Sequence, residues 1–195
     1  QIFALNNEFE PFSKVEVRQA ISYCVDKDQI INSVFGGYGT KLYTNFSPVM
    51  STYYNSDLEG SYDTDVAKAQ ELMEQAGYAD GFEFTCKVPA NYTAHVDTAQ
   101  IIAQQLQQIG ITMNIETVEW ATWLEDVYTN ANYEGTIIGL TGKLDPDDVL
   151  GRFVSDYARN FYNYNNPEYD QLIADSVTEL DEAKRIENYK RCQEI

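Results

Sequence analysis

The sequence predicts an α/β fold with a mixed sheet flanked by helices, its strands at least partly parallel. Three observations lead there. Two segments alternate apolar and polar residues with the period of a half-buried strand, Phe82-Phe84-Cys86-Val88 and Ile111-Met113-Ile115. Between and around them run stripes spaced three and four residues apart, the mark of amphipathic helices. A short apolar run, Thr136–Leu140, fits a strand buried on both faces, as parallel sheets require.

Taken in order, the elements are these. Gln1–Leu5 is a short apolar start, followed by a turn-like stretch with Pro11. Val17, Ala20, Ile21, Cys24 and Val25 form the first helical stripe. Asp26 with Gln29 three residues on reads as a capping box, opening a helix that runs to Phe35 and stops at Gly36-Gly37. Residues 38–62 hold five tyrosines and no periodicity, which predicts a long surface-wrapping loop of the kind that often carries function. Val66, Ala69, Leu72, Met73 and Ala76 make the next helix, ended by Gly77. After the first strand, Ala99, Ile102, Ala103, Leu106 and Ile109 form a helix closed by Gly110, and the second strand follows at once. Trp120–Tyr128 is read as helical, as is Asp148–Ser155. Asn166 caps a helix with Pro167 at its first position, and Asp181 caps the last.

Composition removes several function classes. The 195 residues, 44% hydrophobic, suffice for a sizeable core. A net charge of -18 repels phosphate backbones and anionic lipid, so nucleic acid is no partner and a peripheral membrane role is disfavoured. No apolar run approaches the roughly 20 residues that span a bilayer, so the segment itself does not insert. Cys24, Cys86 and Cys192 lack metal or redox spacing, and His95 is the only histidine, so neither a disulfide framework nor a structural metal is indicated. The abrupt apolar start and the helical pattern at Cys192–Ile195 read as the ends of a piece of a longer protein.

Catalytic chemistry finds little purchase. A nucleophile needs a positioned base, and His95 lies in a polar stretch that reads as an ordinary loop. No phosphate-cradling or dinucleotide-binding glycine pattern is present, and no cofactor is implied. Carboxylates abound, which leaves a paired-carboxylate glycosidase as a rival. The tight cluster Asp145-Pro146-Asp147-Asp148 is read first as helix initiation and second as ligand contact. Trp120 and Trp123, three apart, serve either sheet packing or a ligand cleft.

A resemblance then adds to this reading. Pro11-Phe12 with Val17-Arg18-Gln19-Ala20-Ile21 and Asp26-Lys27 resembles a signature of the dipeptide/oligopeptide/nickel class of extracellular solute-binding proteins. Tyr62-Asp63, Lys68-Ala69, Leu72-Met73, Ala76-Gly77-Tyr78 and Gly81 are similar to that class's next run. Gln105-Leu106, Ile109-Gly110-Ile111, Glu119-Trp120 and the Asn165–Asp170 stretch continue the likeness over nearly the whole chain. The resemblance implies a type II periplasmic-binding-protein-like lobe, with residues 1–195 forming a single α/β lobe, the second of a two-lobe clamp. It implies non-catalytic capture of a peptide or similar small-molecule solute by an extracytoplasmic protein, in the periplasm or as a cell-surface lipoprotein, with the first lobe and an ABC permease as partners. A solute-sensing receptor module would use the same fold.

In peptide-binding members the loop after the apolar strand offers an Asp to the peptide's α-ammonium. Here that loop is Leu140-Thr141-Gly142-Lys143-Leu144-Asp145-Pro146, one residue shorter, and the anchor falls near Gly142-Lys143, where no carboxylate stands. An ammonium beside Lys143 is repelled. Lys143 then either meets a carboxylate or phosphate or is a solvated surface lysine, with aromatic packing holding the solute. The expected ligand-binding residues are Trp120, Trp123, Thr141, Gly142, Lys143, Asp145, Asn160, Tyr162 and Tyr164.

Overall fold

Parallel pairing of the two alternating strands organises the structure, a computed structural model that describes residues 1–195. β2 (Phe82–Pro89) runs beside β3 (Ile111–Val118) in register from Phe82 opposite Ile111 to Pro89 opposite Val118. β4 (Gly135–Ile138) lies on the other side of β2, also parallel, and β1 (Ile2–Leu5) closes that edge antiparallel to β4. The four-stranded sheet thus has the order β1-β4-β2-β3 and is mixed, as expected. The initial apolar run is a strand; four residues without alternation give no period to read.

The chain folds as two compact units. The first comprises residues 1–41 and 62–140, with the sheet and helices α1 (Glu10–Ser13), α2 (Val15–Cys24), α3 (Lys27–Phe35), α4 (Val66–Gln75), α5 (Thr93–Leu106) and α6 (Trp120–Trp123). The stripes read from sequence are the buried faces: Val17, Ala20, Ile21 and Cys24 of α2 and Ala99, Ile102 and Leu106 of α5 join Phe84, Cys86, Val88 and Ile137 in one core. Asp26 accepts from the Gln29 backbone N–H, which confirms the N-cap of α3. The expected capping box does not close, because the Asp26 N–H donates to the Gln105 side chain and the Gln29 side chain accepts from Gln105 instead.

Two glycines set the start of β2 and β3. Gly81 and Gly110 both hold positive φ, +73° and +76°, and a Cβ on Gly81 would overlap the Gly110 backbone carbonyl. Only glycine permits both the left-handed turn and the close approach. Residues 124–129, expected as continuous α-helix, form a π-helical turn after α6.

The second unit comprises residues 42–61 and 141–195, with α7 (Pro146–Leu150), α8 (Pro167–Thr178) and α9 (Glu182–Glu194). Asn166 caps α8 by accepting from the Glu168 and Tyr169 backbone N–H groups, and Asp181 caps α9. The Asp148–Ser155 helix is shorter than expected: α7 begins at Pro146, and a 3-10 turn takes over at Gly151. The long tyrosine-rich segment is more than a surface wrap. Phe46 and Tyr54 enter the core of this unit beside Leu150, Tyr169, Ile173 and Tyr189. The Asn55 amide donates to Glu194, and the Gln193 side chain donates to the Tyr53 carbonyl at 2.7 Å, fastening the segment to α9.

Candidate functional site

The strand order places a crevice before any side chain is considered. From β2 the chain passes through α5 to β3 on one side, then returns through α6 to β4 on the other. α5 packs on the sheet face that carries Cys86, Val88 and Ile137, whereas α6 reaches Thr136, on the opposite face. Open α/β sheets bind ligands outside the carboxyl ends of strands, where the winding direction changes in this way.

Aromatic residues gather at that point. Tyr92 precedes the first residue of α5, and Trp120 is the first residue of α6. The Trp120 and Trp123 rings stack in parallel, 5.2 Å apart and inclined by 3°. Tyr128 continues the stack beyond Trp123, with 6.1 Å between centroids. On the other side Tyr92 meets Trp120 at 5.5 Å and 75°, and His95 stacks on Tyr92 at 5.1 Å. The five rings form a ladder, Tyr128-Trp123-Trp120-Tyr92-His95.

Its inner end is pinned to the sheet. The buried Trp123 indole N–H donates to the Thr136 hydroxyl at 2.9 Å, and that hydroxyl donates to the Lys87 carbonyl at 2.6 Å. At the outer end the Gln1 side-chain amide donates to His95 Nδ1 at 2.7 Å, leaving the ring proton on Nε2. Burial lowers the His95 pKa, so the ring is neutral at neutral pH. The fold therefore puts His95 in the first turn of α5, where the sequence read an ordinary loop.

In the second unit Thr141, Gly142 and Lys143 are exposed. Asp145 caps α7, accepting from the Asp147 N–H at 2.9 Å, and lies 3.7 Å from the Arg185 guanidinium. The helix-initiating reading of this acidic cluster is thus what the backbone shows. Asp147 Oδ1 is buried without a hydrogen-bond partner, and burial, with the Asp145 and Asp148 charges, raises the Asp147 pKa against the opposing pull of Arg185.

Asn160 organises its own loop. Its amide donates to the Val154 and Tyr164 carbonyls, and its oxygen accepts from the Tyr164 N–H. Tyr162 is buried, its ring 4.6 Å from Phe153 and 4.1 Å from Phe161. The Tyr164 hydroxyl accepts from the Asn166 amide. Trp120 and Trp123 therefore come together in the first unit, and Asn160 and Tyr164 in the second. Sequence reasoning missed Tyr92, His95 and Tyr128 as partners of the tryptophans. The available signal was Tyr92 and His95 at helical spacing just after a strand.

The three cysteines are free and buried. Burial raises the Cys24 thiol to about 11 and, most strongly among its causes, the Cys192 thiol to about 12. The Cys86 thiol is raised further by the same cause. No group of three or more histidine, cysteine or acidic side chains is placed to hold a metal ion, and no helix is long and apolar enough to cross a membrane.

Known proteins share this arrangement. The family model for bacterial extracellular solute-binding proteins, family 5 middle, matches residues 1–161. Di/tripeptide-binding protein 1 of Pseudomonas aeruginosa is 33% identical over 200 residues, covering 98% of this chain and 37% of the relative. Heme-binding protein A of Haemophilus influenzae is 32% identical, covering 98% of this chain and 36% of the relative. The chain thus spans a little over a third of the length of these curated relatives. Among solved structures, the periplasmic binding protein DppA from Helicobacter pylori, in complex with the peptide STSA, superposes with a TM-score of 0.89. It is 28% identical, and the match covers 98% of this chain and 38% of that one. The mixed sheet with flanking helices is that of the type II periplasmic binding proteins. The chain belongs to family 5 of the bacterial extracellular solute-binding proteins.

Proposed function

We propose that this chain is part of a binding protein that captures a peptide or similar small solute without transforming it and delivers it to an ABC importer. The observation that carries the reading is the rigid ring ladder at the carboxyl ends of β2 and β3, in a chain of family 5. Aromatic walls with few charged groups suit a site that tolerates varied side chains. The relatives point the same way: those named bind di- and tripeptides, haem or a short peptide.

Capture without catalysis agrees with the chemistry. The thiols are buried and held protonated, which removes the thiolate that covalent catalysis needs. The single imidazole stacks on Tyr92 with its Nδ1 engaged by Gln1, so it is no free base beside a hydroxyl nucleophile. In the complete protein residues 1–195 form the second lobe of a clamp that acts outside the cytoplasmic membrane. Of the first unit's residues Trp120 meets the solute, while the buried Trp123 holds its ring in place. Of the second unit's, Thr141, Gly142, Lys143 and Asp145 are exposed, whereas the buried Tyr162 only supports its loop. The first lobe closes over the solute, and a permease receives it.

Native mass spectrometry of the complete protein tests this. The expected result is a small solute of defined mass that co-purifies and is released unaltered on denaturation. A protein that retains no solute, or that releases a hydrolysed one, overturns the reading.

A further inference from the structure

The ladder has one finished end and one unfinished end. Trp123 is 2% exposed and spends its N–H on Thr136, whereas Trp120 is 36% exposed and Tyr92 41%. Leu124 and Leu140 are also exposed large apolar residues of the first unit. Leu124 is one helical turn beyond Trp120, and Leu140 lies just past the carboxyl end of β4. Apolar surface gathered at a crevice marks a place where something docks.

The shape and charge of this corner say what docks. Trp120 and Tyr92 meet at 75°, so a flat group stacked on one ring turns its edge to the other. Aromatic pairs favour both arrangements. The stretches that build the corner, 89–95, 118–125 and 138–140, contain no lysine or arginine; their only charged side chains are Glu119 and Glu125. His95, which closes the outer end, is pushed toward its neutral form by burial, and a Cβ on Gly139, just past β4, would lie in ordinary contact with its ring at 3.5 Å. Such a corner has no counter-charge for an anionic terminus; it suits the neutral, planar part of a solute. Because Thr136 and the parallel stack already fix the rings, little side-chain freedom is lost on binding.

Resting on the binding reading above, we propose that the Tyr92–Trp120 corner is a stacking site that selects solutes carrying a planar aromatic group, with Tyr92, Leu140 and His95 shaping it beside the two tryptophans.

Calorimetric titration of the complete protein with Ala-Phe and with Ala-Leu isolates planarity from bulk. The wild-type protein is expected to bind Ala-Phe about tenfold more tightly, the size of one or two ring pairs. Trp120→Leu and Tyr92→Leu should bring the ratio to within about twofold, Ala-Phe losing more affinity than Ala-Leu, and Trp120→Phe should keep most of the preference. Trp120 lies in the ladder, so Ala-Phe should perturb the intrinsic fluorescence of the wild-type protein more than that of Trp120→Leu. Equal affinities in the wild-type protein, a preference that survives Trp120→Leu, or binding confined to solutes without rings overturns the stacking site and leaves solute capture standing. A complete protein that binds no small solute at all overturns both.

Discussion

Thr136 joins the strand ladder to the ring ladder through a single oxygen, which donates to the Lys87 carbonyl and accepts from the Trp123 indole. Thr136→Val keeps the shape and removes both bonds, stranding a buried N–H. Urea unfolding should show a loss of about 1–3 kcal/mol; an unchanged midpoint contradicts the pinning role. Asp147 works in the opposite sense. Its folded pKa is raised, so the carboxyl binds its proton more tightly when folded than when unfolded. Its contribution to stability is full below the unfolded value and is lost as pH rises through the folded value. Asp147→Asn should therefore raise the melting temperature at pH 7, and the gain should shrink on acidification toward pH 4. A gain that grows on acidification contradicts the assignment. At this scale the sequence was legible where a side chain acts on its own backbone, as with the Asp26 and Asn166 caps. Ring partners brought together across the fold, such as Tyr92 with Trp120, left no trace at any fixed spacing.

Among the elements, the parallel pair β2 and β3 depends on two glycine turns that touch. Gly81→Ala adds a methyl group where the Gly110 carbonyl lies and forces a positive φ on alanine. The expected cost is about 2–3 kcal/mol in chemical denaturation; a neutral substitution would mean the turns are freer than the structure has them. Helices with a 3.6-residue stripe and strands with alternation were readable because burial imposes the period. Three features escaped for physical reasons. β1 is four residues long and pairs with β4 at the sheet edge. The π-helical turn at 124–129 differs from an α-helix by a wider winding that composition does not encode. The 42–61 segment buries Phe46 and Tyr54 from an aperiodic chain, held by side-chain amides to α9 rather than by a repeating face.

For the whole molecule, membership of family 5 and the change of winding direction at the ends of β2 and β3 both support the proposed account, in which this chain would offer one wall of a binding site. The fold class was legible because strand and helix periods alternate along the chain. The ring ladder was legible in part: the tryptophans were visible as a pair, while the partners that give them rigidity meet them only once β2, β3 and β4 lie side by side. An open wall gains affinity when a second wall excludes water from the other side of the solute. The most direct measurement is calorimetric titration of Ala-Phe into the complete protein and, in parallel, into residues 1–195 alone, with the peptide recovered and weighed by mass spectrometry afterwards. The account predicts saturable binding to the complete protein, at least a hundredfold weaker binding to the segment (on the order of 3 kcal/mol), and peptide recovered intact. Equal affinity in the two samples, or recovery of free alanine and phenylalanine, contradicts it.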